Sequence, residues 1–162
     1  MTDIRYILFG RDWKGILSRI ACFGVFFIFA VYPNFEMILI DGDSMVPTLT
    51  HGQLIILNKH TYKSDHPAVN DIVVIVEHHD NTKIVKRLVA GPGSTISIKD
   101  GFLCINGIIN DAGPVFNGAG LDKVLCSNIP EFCYFYIGDN RVDSSFGIVG
   151  IEQIQGKVMF YE

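Results

Sequence analysis

Residues 71–78, DIVVIVEH, and residues 83–91, KIVKRLVAG, decide the fold. Each is a short run rich in β-branched residues, and the DNT at 80–82 between them has turn chemistry. Together they predict one antiparallel hairpin. Alternation along the second strand puts Ile84, Lys86 and Leu88 on one face and Lys83, Val85, Arg87 and Val89 on the other. Lys86 is therefore expected to point into apolar surroundings.

The same short-strand pattern continues on both sides. FEMILI (35–40), QLIILNK (53–59), CYFYIGDN (133–140) and IQGKVMFY (154–161) each predict a strand, the third running into a polar turn. TISIKDGFLCING (95–107) predicts two strands around Asp100-Gly101, a dipeptide favoured in hairpins. HTYKSDHPAVN (60–70) is a polar connection, and the Gly- and Asn-rich residues 110–130 are expected to be a surface loop. The expected fold is mainly β: an antiparallel domain of small sheets or a partly open barrel.

The N-terminal part differs in kind. No charged side chain occurs between Arg19 and Glu36, a nearly continuous apolar run of 16 residues. That is short of the roughly 20 a transmembrane helix needs, but Ile16 and Leu17 extend it if Arg19 snorkels to the interface. No small-residue cleavage site follows it, which argues against a removable leader. The expected organisation is a cytoplasmic N-terminus (1–19), a transmembrane anchor (20–36) and an exported domain (37–162). Arg5, Arg11, Lys14 and Arg19 outnumber Asp3 and Asp12 before the run, which places the N-terminus on the cytoplasmic side. The remainder of the −4 net charge is acidic and no basic stripe exists, so no nucleic-acid partner is expected. Four cysteines without a C-x-x-C pair exclude a usual zinc framework; Cys126 and Cys133 are either a disulfide or two free thiols.

Three segments carry chemistry. In Gly42-Asp43-Ser44-Met45-Val46-Pro47-Thr48-Leu49 a serine sits on a loop constrained by Gly and Pro, and its own N–H can face a developing oxyanion. A serine nucleophile needs a base. The five histidines, at 51, 60, 66, 78 and 79, lie in polar stretches and suit solvated positions. His78-His79 as a metal pair fails on strand geometry, since adjacent residues point to opposite faces. Lys86 is the better base: burial disfavours the ammonium, lowers the pKa and yields a neutral amine. The third segment, Gly138-Asp139-Asn140-Arg141-Val142-Asp143-Ser144-Ser145-Phe146-Gly147, is a polar turn. A hydroxyl there can orient the lysine, and an Arg141–Asp143 ion pair can hold the turn.

In this order the three segments resemble the type I signal peptidases, the S26 family of Ser-Lys proteases, over roughly residues 20–160. IDGDSMVPTL is similar to the family's nucleophile box, IVKRLVAGPG to its lysine box, and YFYIGDNR to its GDNR box. The resemblance implies a membrane-bound serine endopeptidase with Ser44 as nucleophile and Lys86 as base. It implies an oxyanion hole from the backbone of Gly42 and Ser44, and Met45 on the substrate surface. Ser144 falls at the lysine-orienting serine, with Asp139, Arg141 and Asp143 structural in the same turn. Exported precursors or pilins are the implied substrates, and no metal or cofactor is implied. The family continues GDNR with S-x-D-S-R; VDSSFG here is shorter, and Asp143-Ser144 can equally be aligned with the later D-S pair. Lys86 and Gly138 are only about 50 residues apart, a compactness similar to conjugative-transfer signal peptidases and to short general ones.

Two other classes compete. A self-cleaving repressor with a Ser-Lys dyad needs a soluble DNA-binding N-terminus, and the apolar first 40 residues exclude it. A non-catalytic membrane-anchored β module in pilus or secretion assembly explains the anchor and strands but not the three ordered segments.

Overall fold

The computed structural model describes residues 13–77, 81–115 and 123–160. Chain contacts divide the protein into two units, 1–36 and 37–162. The first contains helix α1 (Trp13–Val31) and a 3₁₀ turn, Tyr32–Asn34. The helix starts and stops earlier than the expected 20–36 anchor. Pro33 cannot continue a helical hydrogen-bond ladder, and Glu36 already belongs to strand β1 (Phe35–Leu39). The early start brings Lys14 and Arg19 into the helix. Among the described residues, no helix is long and apolar enough to cross a membrane. Along α1, Leu17, Ile20, Phe23, Val25, Phe26 and Phe27 are nonetheless exposed.

The second unit is antiparallel β in two sheets, as the alternating short runs predict. After β1 come β2 (Leu54–Asn58), a single-turn helix α2 (Thr61–Ser64), β3 (Ile72–Val76), β4 (Lys83–Ala90), β5 (Ile96–Lys99), β6 (Phe102–Ile105), β7 (Ile108–Pro114), β8 (Lys123–Cys126), β9 (Cys133–Ile137), β10 (Phe146–Gly150) and β11 (Ile154–Phe160). The order in the larger sheet is β1-β2-β11-β3-β4-β9-β10, and in the smaller β7-β6-β5-β8.

Strand β3 is central and apolar along almost its whole length, with Ile72 through Ile75 buried. It pairs with β4 in a register that sets Val73 opposite Lys86 and Ile75 opposite Ile84. Alternation then sorts the side chains. Leu88 and Ile84 pack with Val73, Ile75 and Tyr134, whereas Val85 packs with Ile40, Met45, Leu49 and Val74. At the head of β3, Asp71 accepts from the Tyr62 hydroxyl at 2.7 Å and pairs with Lys157 Nζ at 2.5 Å, joining α2 and β11 to that strand.

Residues 110–130 are not simply a loop. Asn106-Gly107, both at positive φ, form a second hairpin turn after Asp100-Gly101. That turn feeds β7, and β8 adds to the other side of β5. The Asn, Asp and Gly within β7 and the four-residue length of β8 leave little of the apolar alternation that reveals a strand. All four cysteines are free. Cys126 ends a strand of the smaller sheet and Cys133 begins one of the larger, and both pack against one apolar cluster. His78 and His79 lie outside the described residues.

Candidate active site

Residues 40–53 make a loop between β1 and β2 that is pinned at its base. Ile40 N–H donates to Gln53 O at 2.9 Å, and Gly52 N–H donates to Ile40 O at 2.9 Å. Inside it, Val46 N–H donates to Asp43 O at 3.1 Å and Leu49 N–H to Met45 O at 2.9 Å. Met45 and Leu49 are fully buried in the core. These two anchors hold the turn and leave Ser44 at the boundary between core and solvent. Gly42 has φ +99°, a left-handed conformation that a side chain would strain.

Lys86 lies buried on β4, 4% exposed. Its Nζ stands 2.7 Å from Ser44 Oγ and 3.2 Å from Ser144 Oγ. Burial pushes its pKa below the ordinary lysine value, against the opposing fields of Glu77 and Asp143. Ser144 is fully committed: Oγ donates to Ser145 O at 3.0 Å and accepts from Gly138 N–H at 2.8 Å as well as from Lys86. With its one proton and both lone pairs used, this hydroxyl has no freedom to rotate, and it fixes one Nζ–H. An amine that has lost its proton at this place would have its lone pair aimed at the Ser44 hydroxyl, 2.7 Å away.

The 138–141 turn clamps both partners. Asn140 donates from its backbone to Ser44 O at 3.0 Å and from Nδ2 to Asp43 O at 3.2 Å. Gly138 passes so close that a Cβ would sit 2.2 Å from Ser44 O and 2.1 Å from Ser144 Oγ. Asp139 accepts a side-on fork from Arg87, Nε to Oδ1 at 2.8 Å and NH2 to Oδ2 at 2.7 Å, and also the Thr48 hydroxyl at 2.6 Å. Burial raises the Asp139 pKa, but the Arg87 and Thr48 hydrogen bonds outweigh it and hold the carboxyl below its usual range. Arg87 completes its fork on Asn70 O at 2.9 Å.

Several residues differ from their expected places. Gly42 N–H donates to His51 Nδ1 at 3.2 Å, so of the two backbone groups expected in the oxyanion hole, this one is engaged elsewhere. Met45 is 2% exposed and packs in the core, while its side chain also walls the cavity beside Ser44. Arg141 does not pair with Asp143. It is buried, its NH2 reaches Asn110 Oδ1 of β7 at 3.5 Å, and its NH1 has no hydrogen-bond partner among the described residues. Asp143 instead uses its backbone N–H, donated to Asn140 O at 3.2 Å. Thr48, Asn70, Asn140 and His51 enter the site without having been singled out. The first three sit in or beside the motifs; His51 gives no sequence signal, since its partner is a backbone group.

A cavity of about 150 Å³ opens beside Ser44 and Lys86, walled by Ile38, Ile40, Met45, Val74, Ile84 and Val85. Lys83 also reaches its rim, because the cavity runs along β4 and not only across one of its faces. Among the described residues no His, Cys, Asp and Glu group is placed to hold a metal ion.

The family model and the sequence relatives point the same way. The family described as signal peptidase, peptidase S26, matches residues 13–161. The chain is 33% identical over 170 residues to signal peptidase I of Bacillus caldolyticus, covering 93% of this chain and 89% of that one. It is 31% identical over 173 residues to signal peptidase IB of Staphylococcus aureus, covering 92% and 87%. Among solved structures, a signal peptidase I from Enterococcus faecalis matches 59% of this chain and 98% of its own, with a TM-score of 0.47 and 24% identity. A match of this length, with relatives matched along most of their own chains, leads to one conclusion: this chain belongs to the signal peptidase family, peptidase S26, and is a serine endopeptidase.

Proposed function

We propose that Ser44 is the nucleophile and Lys86 its general base, and that the protein removes signal segments from exported precursor proteins at a membrane surface. The observation that carries the reading is the 2.7 Å approach of a buried Lys86 Nζ to Ser44 Oγ. Ser44 Oγ attacks the scissile carbonyl while its proton passes to Lys86. The Ser44 N–H faces the oxyanion, and Lys86 returns the proton to the leaving amine. Water then attacks the ester, with Lys86 again accepting the proton. Ser144, held by Gly138 and Ser145, orients the amine throughout; Asp139 and Arg87 brace the turn behind it.

Substrate and location follow from the surroundings. The cavity beside Ser44 is small and apolar, which suits a small side chain such as Ala before the cut, presented on an extended chain paired to a neighbouring strand. Helix α1 carries exposed Leu, Ile, Val and Phe side chains, which favour seating in lipid. The basic residues before it favour a cytoplasmic N-terminus, with the 37–162 unit on the outer face. Only about eight residues separate Glu36 from Ser44. At roughly 3.3–3.6 Å per extended residue, the serine works within about 30 Å of the end of that segment. Pilin precursors belong to the same chemical class of substrate. The test is processing of a membrane-inserted, signal-bearing precursor by purified protein. Ser44→Ala should insert and fold but not cleave, and the wild type should cut after a small residue and fail on a bulky one. Near-normal cleavage by Ser44→Ala, or equal cleavage of both precursors, contradicts the reading.

A further inference from the structure

The nucleophile loop is held at both ends and at Asp43 O, which accepts from Val46 N–H at 3.1 Å and Asn140 Nδ2 at 3.2 Å, and its least supported residue is Gly42. Ile40 is tied to Gly52 and Gln53 by backbone bonds at 2.9 Å, and Ser44 O is tied to Asn140 at 3.0 Å. Between them Asp41, Gly42 and Asp43 are exposed. Gly42 is the weak point: it sits at φ +99° with nothing within 4 Å of where a Cβ would be, so no packing holds it. A glycine without packing samples more backbone conformations than any other residue. What reaches it is His51, nine residues on and across the loop, whose Nδ1 accepts the Gly42 N–H at 3.2 Å.

We propose that His51 is a positioning residue for the nucleophile, latching the two arms of the 40–53 loop together through the Gly42 N–H. The proposal rests on the reading of Ser44 as nucleophile. The chemistry of the ring makes the latch specific. Nδ1 accepts a hydrogen bond only when the imidazole is neutral and its proton is on Nε2. The same Nδ1 lies 3.4 Å from Asp41 Oδ1. A proton on Nδ1 would therefore turn the ring to the carboxylate and repel the Gly42 N–H. Of these two arrangements, only the first holds Gly42, two residues ahead of Ser44. A side chain that offers an acceptor at the place of Nδ1 should preserve the latch; Asn does so with Oδ1, whereas Ala offers none and Lys offers only donors. A loop free to shift by about 1 Å loses reaction geometry before it loses substrate contacts, so the effect belongs in kcat more than in KM.

The experiment compares wild type, His51→Asn, His51→Ala and His51→Lys on one signal-bearing precursor, with Ser44→Ala alongside and with thermal midpoints recorded. The expected result is a kcat within about twofold of wild type for His51→Asn, and a loss of about tenfold for His51→Ala and His51→Lys with little change in KM. Should His51→Ala fail to fold, the Asn and Lys pair decides. Wild-type kcat in His51→Ala or His51→Lys, or an equal loss in His51→Asn, overturns the latch. If Ser44→Ala itself cleaves, the nucleophile assignment falls. If Ser44→Ala is inactive and the His51 variants are all fully active, the latch alone falls.

Discussion

Arg87 and Asp139 meet side-on, with Nε 2.8 Å from Oδ1 and NH2 2.7 Å from Oδ2. The pair ties the strand that carries Lys86 to the turn that grips Ser44, and Thr48 adds the 40–53 loop to the same carboxylate. Planar two-point pairing of this kind fixes direction as well as distance.

Asp139→Asn should therefore reduce both stability and rate. Losing charge-assisted bonds at a half-buried site costs about 1.5–3 kcal/mol. The Asp139 pKa is depressed in the folded state, so its stabilisation is present above the unfolded carboxylate range and is lost as pH falls through the folded value. Chemical unfolding across the acid range should show a steeper decline for wild type than for Asp139→Asn. Parallel curves would mean that the ion pair adds nothing.

Ser144→Ala removes the acceptor for one Nζ–H and leaves Gly138 N–H without its 2.8 Å partner. Lys86 should still reach Ser44 but sample more rotamers. Single-turnover cleavage should fall about tenfold, less than the roughly 10²–10⁴-fold that proton transfer contributes, and far less than for Ser44→Ala. A rate equal to that of Ser44→Ala would make Ser144 part of the proton transfer itself.

Glu77 opposes the effect of burial on Lys86 by favouring the ammonium. Glu77→Gln should make Lys86 give up its proton more readily, moving the acid limb of the pH–rate profile to lower pH. Asp143→Asn should act in the same direction. A move to higher pH in either variant would contradict the electrostatic account.

Lys86 sets activity against stability. Its pKa is lowered in the folded chain, so over the window between that value and the ordinary lysine value the unfolded chain binds more protons, and stability rises with pH. Lys86→Met should remove that slope, raise the thermal midpoint at neutral pH and abolish cleavage. A destabilised Lys86→Met protein would show that the buried amine contributes more in hydrogen bonds than it costs in lost hydration.

Much of this was legible in the chain because apolar alternation is a strong signal. KIVKRLVA fixed the face on which Lys86 lies, and the Gly-Asp-Asn turn announced a rigid element ahead of Ser144. Other features leave no such trace. His51 and Asn140 act on backbone groups, which every residue has. Arg141 and Asp143 are two residues apart, yet the turn sends the guanidinium toward Asn110 on the other sheet. Strands β7, β8 and β10 lie at sheet edges; β7 and β10 are interrupted by Gly, Asn or Asp, and β8 is only four residues long, so the sequence pattern gives little sign of them. Helix α1 ends at Val31, short of the apolar run's end, because Pro33 stops a helix more sharply than hydropathy does.

The central claim is that a buried, neutral Lys86 takes the proton of Ser44. Its most direct test is the pH dependence of single-turnover precursor cleavage by the wild-type protein. The account predicts a rate that rises as one group loses its proton, with a midpoint below the ordinary lysine value of 10.5, and no rise in Lys86→Arg, whose guanidinium stays charged. A rate independent of pH, or a Lys86→Arg protein with the wild-type profile, would contradict it.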